Sequence, residues 1–219
     1  AVKIYAATAE RSAFNIFIES GEVTNAFMSY YYLKKRKNFS LSALRSHIKS
    51  IVIDSGAHSF FSLLQGSGLA VSVHKKKVER NEQSPKDYYR EYLNWLIENK
   101  PYYDYFVELD IGEIVGQEQV EKWRADFRRL NLIRKCITVY HPAVVSLKGY
   151  RKMVDQSESR YVALEGVRRN RPPLPYAQLI KSGYDVGTRI HCFAMTDGRI
   201  LDQAPFYSVD SSTWVSCSA

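Results

Sequence analysis

Cysteine is scarce in this chain. Its three cysteines, Cys136, Cys192 and Cys217, form no CxxC pair, and their odd number excludes a complete disulfide framework. No HxH, HExxH or Cys/His cluster is present, so a zinc centre is disfavoured and no cofactor is expected. A Mg²⁺ site built from carboxylates stays open. No apolar run is long enough to cross a bilayer and no signal-like segment opens the chain, so no membrane is expected among its partners. A reduced, cytoplasmic setting is expected. Neither an internal repeat nor a linker divides the 219 residues, and 45% hydrophobic content can fill one sizeable core. A single domain over residues 1–219 is expected.

Positive charge is plentiful. Lys and Arg number 31 against 23 Asp and Glu, a formal net charge of +8 that favours polyanionic partners. The charge is clustered, in Lys34-Lys35-Arg36-Lys37, in Lys75-Lys76-Lys77 with Arg80, and in Arg168-Arg169 with Arg171. Each cluster lies in a predicted loop after a strand or its helix, which is how a nucleic-acid surface is built.

Eight short runs rich in β-branched and aromatic residues read as strands: 3–8, 26–32, 50–54, 104–110, 135–140, 160–165, 188–194 and 206–210. Helical patterns fall between them at 41–49, 85–99, 117–130, 146–156, 175–182 and 198–203. The clearest is 85–99, where Ser84 caps, Pro85 takes the first position, and Tyr88, Tyr92, Trp95 and Leu96 recur at helical spacing. Strand–helix alternation implies parallel strands with right-handed crossovers. Eight such units predict an α/β fold, a (β/α)8 TIM-type barrel, with an insertion after strand three over 61–83. No eighth helix follows strand eight within the given chain, so the barrel is left uncovered there or the natural chain continues.

Such a barrel gathers the ends of its strands at one mouth, where chemistry is usually placed. Strand three brings Asp54, followed by Ser55, Gly56 and His58. Strand four brings Glu108 and Asp110, two apart and so expected on one face. Strand five brings Tyr140 and His141, strand six Glu165 and Gly166, strand seven His191 from deeper in the strand, and strand eight Asp210. Each alone has an ordinary structural reading, as a turn cap, a core histidine or half of an ion pair. Together, so many acids at one rim would repel one another unless a cation or a hydrogen-bond-donating ligand relieved them.

Asp54-Ser55-Gly56-Ala57-His58-Ser59 resembles the DSGGFQ motif of tRNA-guanine transglycosylases. Val107-Glu108-Leu109-Asp110-Ile111 resembles the strand whose aspartate reads the guanine edge. Leu164-Glu165-Gly166-Val167 falls where that family has a glycine pair, and Ser208-Val209-Asp210-Ser211-Ser212 where it has a nucleophilic aspartate. Tyr30-Tyr31-Tyr32, Val139-Tyr140-His141-Pro142 and the segment ending at Trp214 look most like the compact phage and bacterial branch, whose members put 7-deazaguanine bases into DNA. The order agrees over roughly residues 1–215. This sequence departs from the pattern at Ala57 for a glycine, at His58 for a stacking phenylalanine, at Glu165 for the first glycine of the pair, and at Tyr140 or His141 for a glutamine. The CxCxxC…H zinc motif of the tRNA enzymes is also missing, which counts against a tRNA substrate.

The resemblance implies a glycosyltransferase that exchanges guanine for a preQ0-like 7-deazaguanine, in the cytoplasm of a bacterium or of a phage-infected host. Asp210 would be the nucleophile and Asp54 the general acid/base or its helper. Asp110 would read the base, in a pocket completed by Ser55, Gly56, His58, Tyr140, His141, Glu165, Gly166 and His191. The basic clusters would hold phosphates, and Tyr30, Tyr31 and His58 could stack on bases. Expected partners are nucleic acid, DNA in preference to tRNA, and a free 7-deazaguanine; a protein partner or a second copy stays open. The alternatives are the same exchange on tRNA, a carboxylate–metal barrel hydrolase acting on phosphoesters, and a decayed nucleic-acid-binding barrel. Replacing Arg168 or Lys76 by alanine should weaken binding across sequences and flatten its salt dependence. An unchanged salt slope would remove those clusters from the interface.

Overall fold

A computed structural model describes residues 2–7, 21, 23–36, 39–61, 83–166 and 174–212. Eight strands close into a barrel in chain order: β1 (Lys3–Ala7), β2 (Asn25–Ser29), β3 (Ser50–Asp54), β4 (Tyr105–Val107), β5 (Cys136–Tyr140), β6 (Tyr161–Leu164), β7 (Arg189–Cys192) and β8 (Ser208–Ser211). Every neighbouring pair is parallel, including β8 against β1, where Tyr5 pairs with Asp210. Carried once round the barrel, these registers return to β8 displaced by eight residues, from Ser208 to Ile200. That is the shear of a (β/α)8 barrel. Among the described residues, no helix is long and apolar enough to cross a membrane.

Alternation along each strand divides the core into layers. Tyr5, Ala7, Phe27, Val52, Val107, Ile137, Val139, Tyr161 and Ala163 fill the barrel. The residues alternating with them along each strand point outward to the helices. Ala26, Met28, Ile51, Ile53, Phe106 and Cys136 meet the helix Pro85–Glu98 and the helix Gln117–Arg129. Val162, Leu164, Ile190, Cys192 and Val209 meet the helix Leu147–Gln156 and the helix Tyr176–Tyr184. The end opposite the mouth is plugged. Arg189 lies 4.8–5.2 Å from the ring centres of Tyr105, Tyr161 and Tyr207, and donates to the Tyr105 hydroxyl.

The rim is set by tyrosine hydroxyls reaching in from the helices. The helix Pro85–Glu98 starts as its sequence demands, with the Ser84 side chain accepting from Asp87 N. From this helix, Tyr88 donates to the Ser55 carbonyl at 2.7 Å and Tyr92 to the Val107 carbonyl at 2.8 Å. Tyr176 does the same for the Glu165 carbonyl at 3.0 Å. Burial pushes the Tyr88 and Tyr92 phenols far above their usual range, so both remain donors.

Two expectations need correction. Residues 30–32 do not extend strand two. They begin the short helix Tyr30–Leu33, whose Tyr30 packs against Tyr88, Tyr92 and Trp95. The chain leaves the sheet at Ser29, and tyrosine's preference for strands does not outweigh that packing. Strand four ends at Val107 rather than at residue 110. Beyond it, Glu108 turns its side chain back into the sheet's own bonding: Oε1 accepts from Val139 N at 2.7 Å, and both oxygens accept from Arg124 at 2.6 Å. Glu108 therefore does not share a face with Asp110. The insertion expected over 61–83 falls almost wholly outside the described residues.

Arg124 and Glu108 are both buried. Burial alone would lower the Arg124 pKa, but the Glu108 carboxylate outweighs it and holds the guanidinium charge more firmly. Removing one partner strands the other charge, so Arg124→Ala should lower unfolding free energy by about 3–5 kcal/mol in urea titration. A loss below about 1 kcal/mol would mean that solvent already reaches the pair.

Candidate functional site at the barrel mouth

Strand parity decides which rim residues look into the barrel. Val52 is interior, so Asp54 is too; Ser208 bonds to interior groups, so Asp210 follows it inward. Ala163 and Val139 are interior, which aims Glu165 and His141 into the mouth. Tyr140 has the opposite parity. It lies outside the barrel with its ring centre 4.7 Å from that of Tyr150, so it is not part of the mouth.

Asp210 is the most closely supported of these acids. Its Oδ1 accepts from Ala194 N at 2.9 Å and from His191 Nε2 at 3.2 Å. Its Oδ2 has no hydrogen-bond partner among the described residues. Ala194 presents its N–H from a left-handed backbone, φ +48°, which alanine rarely adopts. His191 is fully enclosed, stacked 5.4 Å from Phe27 at 8° between planes. With Nε2–H directed to Asp210, Nδ1 accepts from Ser208 Oγ at 2.8 Å, and that hydroxyl in turn meets the Tyr161 hydroxyl. The result is a continuous buried chain, Tyr161–Ser208–His191–Asp210. It places His191 beneath the aspartate as its support, not in an open base pocket.

A second group gathers where β4, β5 and β6 end. His141 Nε2 contacts Asp110 Oδ1, and its Nδ1 lies 3.2 Å from Glu165 Oε1. Burial would push this imidazole down. The hydrogen bonds and negative charges of Asp110 and Glu165 prevail and raise it to about 10. Glu113, in the short helix Gly112–Val115, completes the group: one ligand atom each from Glu113, His141 and Glu165 lies within 4.8 Å of the others. These three residues could hold a metal ion.

The remaining residues singled out in the sequence divide clearly. Asp54 Oδ2 accepts from Gly56 N at 3.0 Å, closing a tight turn. Gly56 has φ +72°, and a Cβ there would stand 2.4 Å from Tyr31 Cβ, so only glycine fits. Ser55 is fully enclosed, and His58 is exposed on the helix Ala57–Phe61. A Cβ on Gly166 would stand 2.1 Å from the Phe193 carbonyl oxygen, so this glycine is required by the neighbouring strand's turn. Lys34 bonds to Glu91 and Gln83 and lies 4.7 Å above the Tyr88 ring, and Lys35 lies 3.9 Å above Tyr31. Lys37, Lys75, Lys76, Lys77, Arg80, Arg168, Arg169 and Arg171 lie outside the described residues, as does Cys217. Cys136 and Cys192 are buried in the outer layer. Burial pushes the Cys192 thiol up to about 12 and the Cys136 thiol well above its usual value, so neither is a thiolate nucleophile.

Sequence reading missed Glu113, Ser208 and the Ala194 amide. Ser208 was within reach, two residues before Asp210 and therefore on its face. Glu113 follows Asp110 by one helical step, but nothing local shows that it turns toward β5 and β6. No protein-family model and no curated protein sequence matches this chain.

The raised His141 gives a signed prediction for the metal-free protein. Its stabilisation is complete below about pH 6.5, where the unfolded imidazole is charged as well, and is lost as pH rises through about 10. With chelator present, the stability gap between wild type and His141→Gln should therefore be wide at pH 6 and nearly closed above pH 10. A gap that widens with pH would reverse the assignment.

Proposed function

We propose that this barrel exchanges guanine for a 7-deazaguanine base, preQ0-like, in nucleic acid, with DNA favoured over tRNA. Asp210 carries the reading: a carboxylate at the mouth whose one oxygen is held by two donors while the other is left for substrate.

In this reading the target nucleotide is flipped out of its stack into the mouth. Asp210 Oδ2 forms a bond to C1′ as the bond from C1′ to guanine N9 breaks, through an oxocarbenium-like transition state. Guanine leaves with a proton delivered by Asp54, acting directly or through water. The incoming base then gives its N9 proton to Asp54, attacks C1′, and releases the carboxylate. Two inversions return the original configuration, and the protein ends as it began. Proton transfer of this kind is worth about 10²–10⁴-fold in rate. The fixed Ala194 amide and His191 keep Asp210 in line without reorganisation during the reaction. Asp110 reads the Watson–Crick edge with Oδ2, because His141 already occupies Oδ1. A formal charge of +8 supports a phosphate-bearing substrate.

The test is to incubate the protein with labelled guanine or a 7-deazaguanine and either DNA or tRNA, then digest and weigh the nucleosides. Label should enter DNA. Asp210→Asn should cut incorporation by at least about 10³-fold, with nucleic-acid affinity within about twofold of wild type. Normal turnover in that variant would refute the nucleophile, and absence of label from both polymers would refute the exchange.

A further inference from the structure

The group at the ends of β4, β5 and β6 has a use that base exchange does not require. We infer that Glu113, His141 and Glu165 form a binding site for one divalent first-row cation, with Asp110 as the outer partner of the histidine.

The barrel itself builds the site. β4, β5 and β6 are consecutive neighbours, and Tyr140 pairs with Leu164, so His141 and Glu165 occupy the next rung side by side. Their facing atoms, Nδ1 and Oε1, are 3.2 Å apart. Two ligands bonded at roughly 2.0–2.2 Å to one ion, at roughly 90–110° to each other, stand about 3.0–3.5 Å apart. The pair thus already has the spacing of adjacent ligands. Glu113 brings a third oxygen from the short helix after β4, with all three ligand atoms inside 4.8 Å.

The histidine's other nitrogen supplies an independent observation. A metal-ligating imidazole usually donates its remaining N–H to a carboxylate, which fixes the ring and raises its basicity. His141 Nε2 is in contact with Asp110 Oδ1, which leaves Nδ1 as the ligating atom on the side of Glu165. Binding releases the Nδ1 proton to solvent, and the ion takes the place between imidazole and carboxylate that the proton had.

The donor set selects the ion. One imidazole and two carboxylates, without sulfur, suit Mn²⁺, Fe²⁺, Co²⁺ or Zn²⁺ rather than a soft monovalent ion. Burial grades from the exposed Glu113 through the half-buried His141 to the buried Glu165, so an ion enters from the side of Glu113. Three protein ligands leave positions for water or for an anionic oxygen. Asp54 and Asp210 take no part, since their carboxylates lie outside this group of ligand atoms.

Chelator-treated protein titrated with Mn²⁺, followed by calorimetry and electron paramagnetic resonance, tests the site. One Mn²⁺ should bind per chain, with coupling to an imidazole nitrogen. Glu113→Gln changes an exposed side chain and should weaken binding at least tenfold. Asp110→Asn should weaken it about 10–100-fold, and His141→Ala should abolish both binding and nitrogen coupling. Asp54→Asn should bind as wild type does while losing base exchange, which separates this inference from the proposed function. Absence of a stoichiometric ion at millimolar Mn²⁺, wild-type affinity in Glu113→Gln, or a bound ion without nitrogen coupling would each overturn it.

Discussion

The pairing of β8 with β1 is the constraint on which the mouth depends. Once Tyr5 lies beside Asp210, the sheet has no edges and all its strands end at one rim. Closure also fixes parity. The barrel interior is packed with Tyr5, Phe27, Val52, Tyr161 and their neighbours, and polar side chains below the rim, such as Ser208 and His191, are tolerated there because they bond to one another. Slipping one strand by one residue would send its acid outward and its aliphatic neighbours into the mouth. The inward aim of Asp54, Glu165 and Asp210 is therefore a property of the whole cylinder, not of the turns that follow each strand.

The helices decide which acids at that rim remain available. Tyrosine hydroxyls bind the carbonyls of Ser55, Val107 and Glu165, so the chain leaves each strand along a fixed path. Arg124 draws Glu108 out of the mouth and turns it into part of the β4–β5 ladder. A buried acid so fully paired contributes to architecture, and breaking the pair is far costlier than the pair itself is stabilising. Asp210 differs because only one of its oxygens is taken.

The strands were readable because each is short, rich in β-branched or aromatic residues, and bounded by turn formers. Tyr30-Tyr31-Tyr32 misled for the same reason, since local preference cannot anticipate that Tyr88, Tyr92 and Trp95 form the surface against which Tyr30 packs. The acids at strand ends were readable from parity, until parity failed after Val107, where the strand stops and Glu108 and Asp110 part company. Tyr140 and His141 could not be separated by sequence, but strand parity separates them at once: the tyrosine belongs to the helical layer and the histidine to the mouth. Groups drawn from three segments, such as Glu113, His141 and Glu165, leave no spacing in the sequence. Only the order of the strands in the barrel brings them together.

The two imidazoles show how one rim can hold two kinds of site. His191 is enclosed, stacked on Phe27, and committed through Ser208 and Asp210 to a single hydrogen-bonded arrangement. It can orient a carboxylate but has no face left for an ion or a substrate. His141 stands half-buried between two carboxylates, where a positive charge is favoured and where solvent has access through Glu113. Environments that differ this much assign different tasks to chemically identical groups. The side of the mouth near β7 and β8 holds a carboxylate rigid with one oxygen presented, as the proposed attack on a sugar carbon would require. The side near β4, β5 and β6 sets an imidazole between carboxylates, the arrangement from which the cation site is inferred.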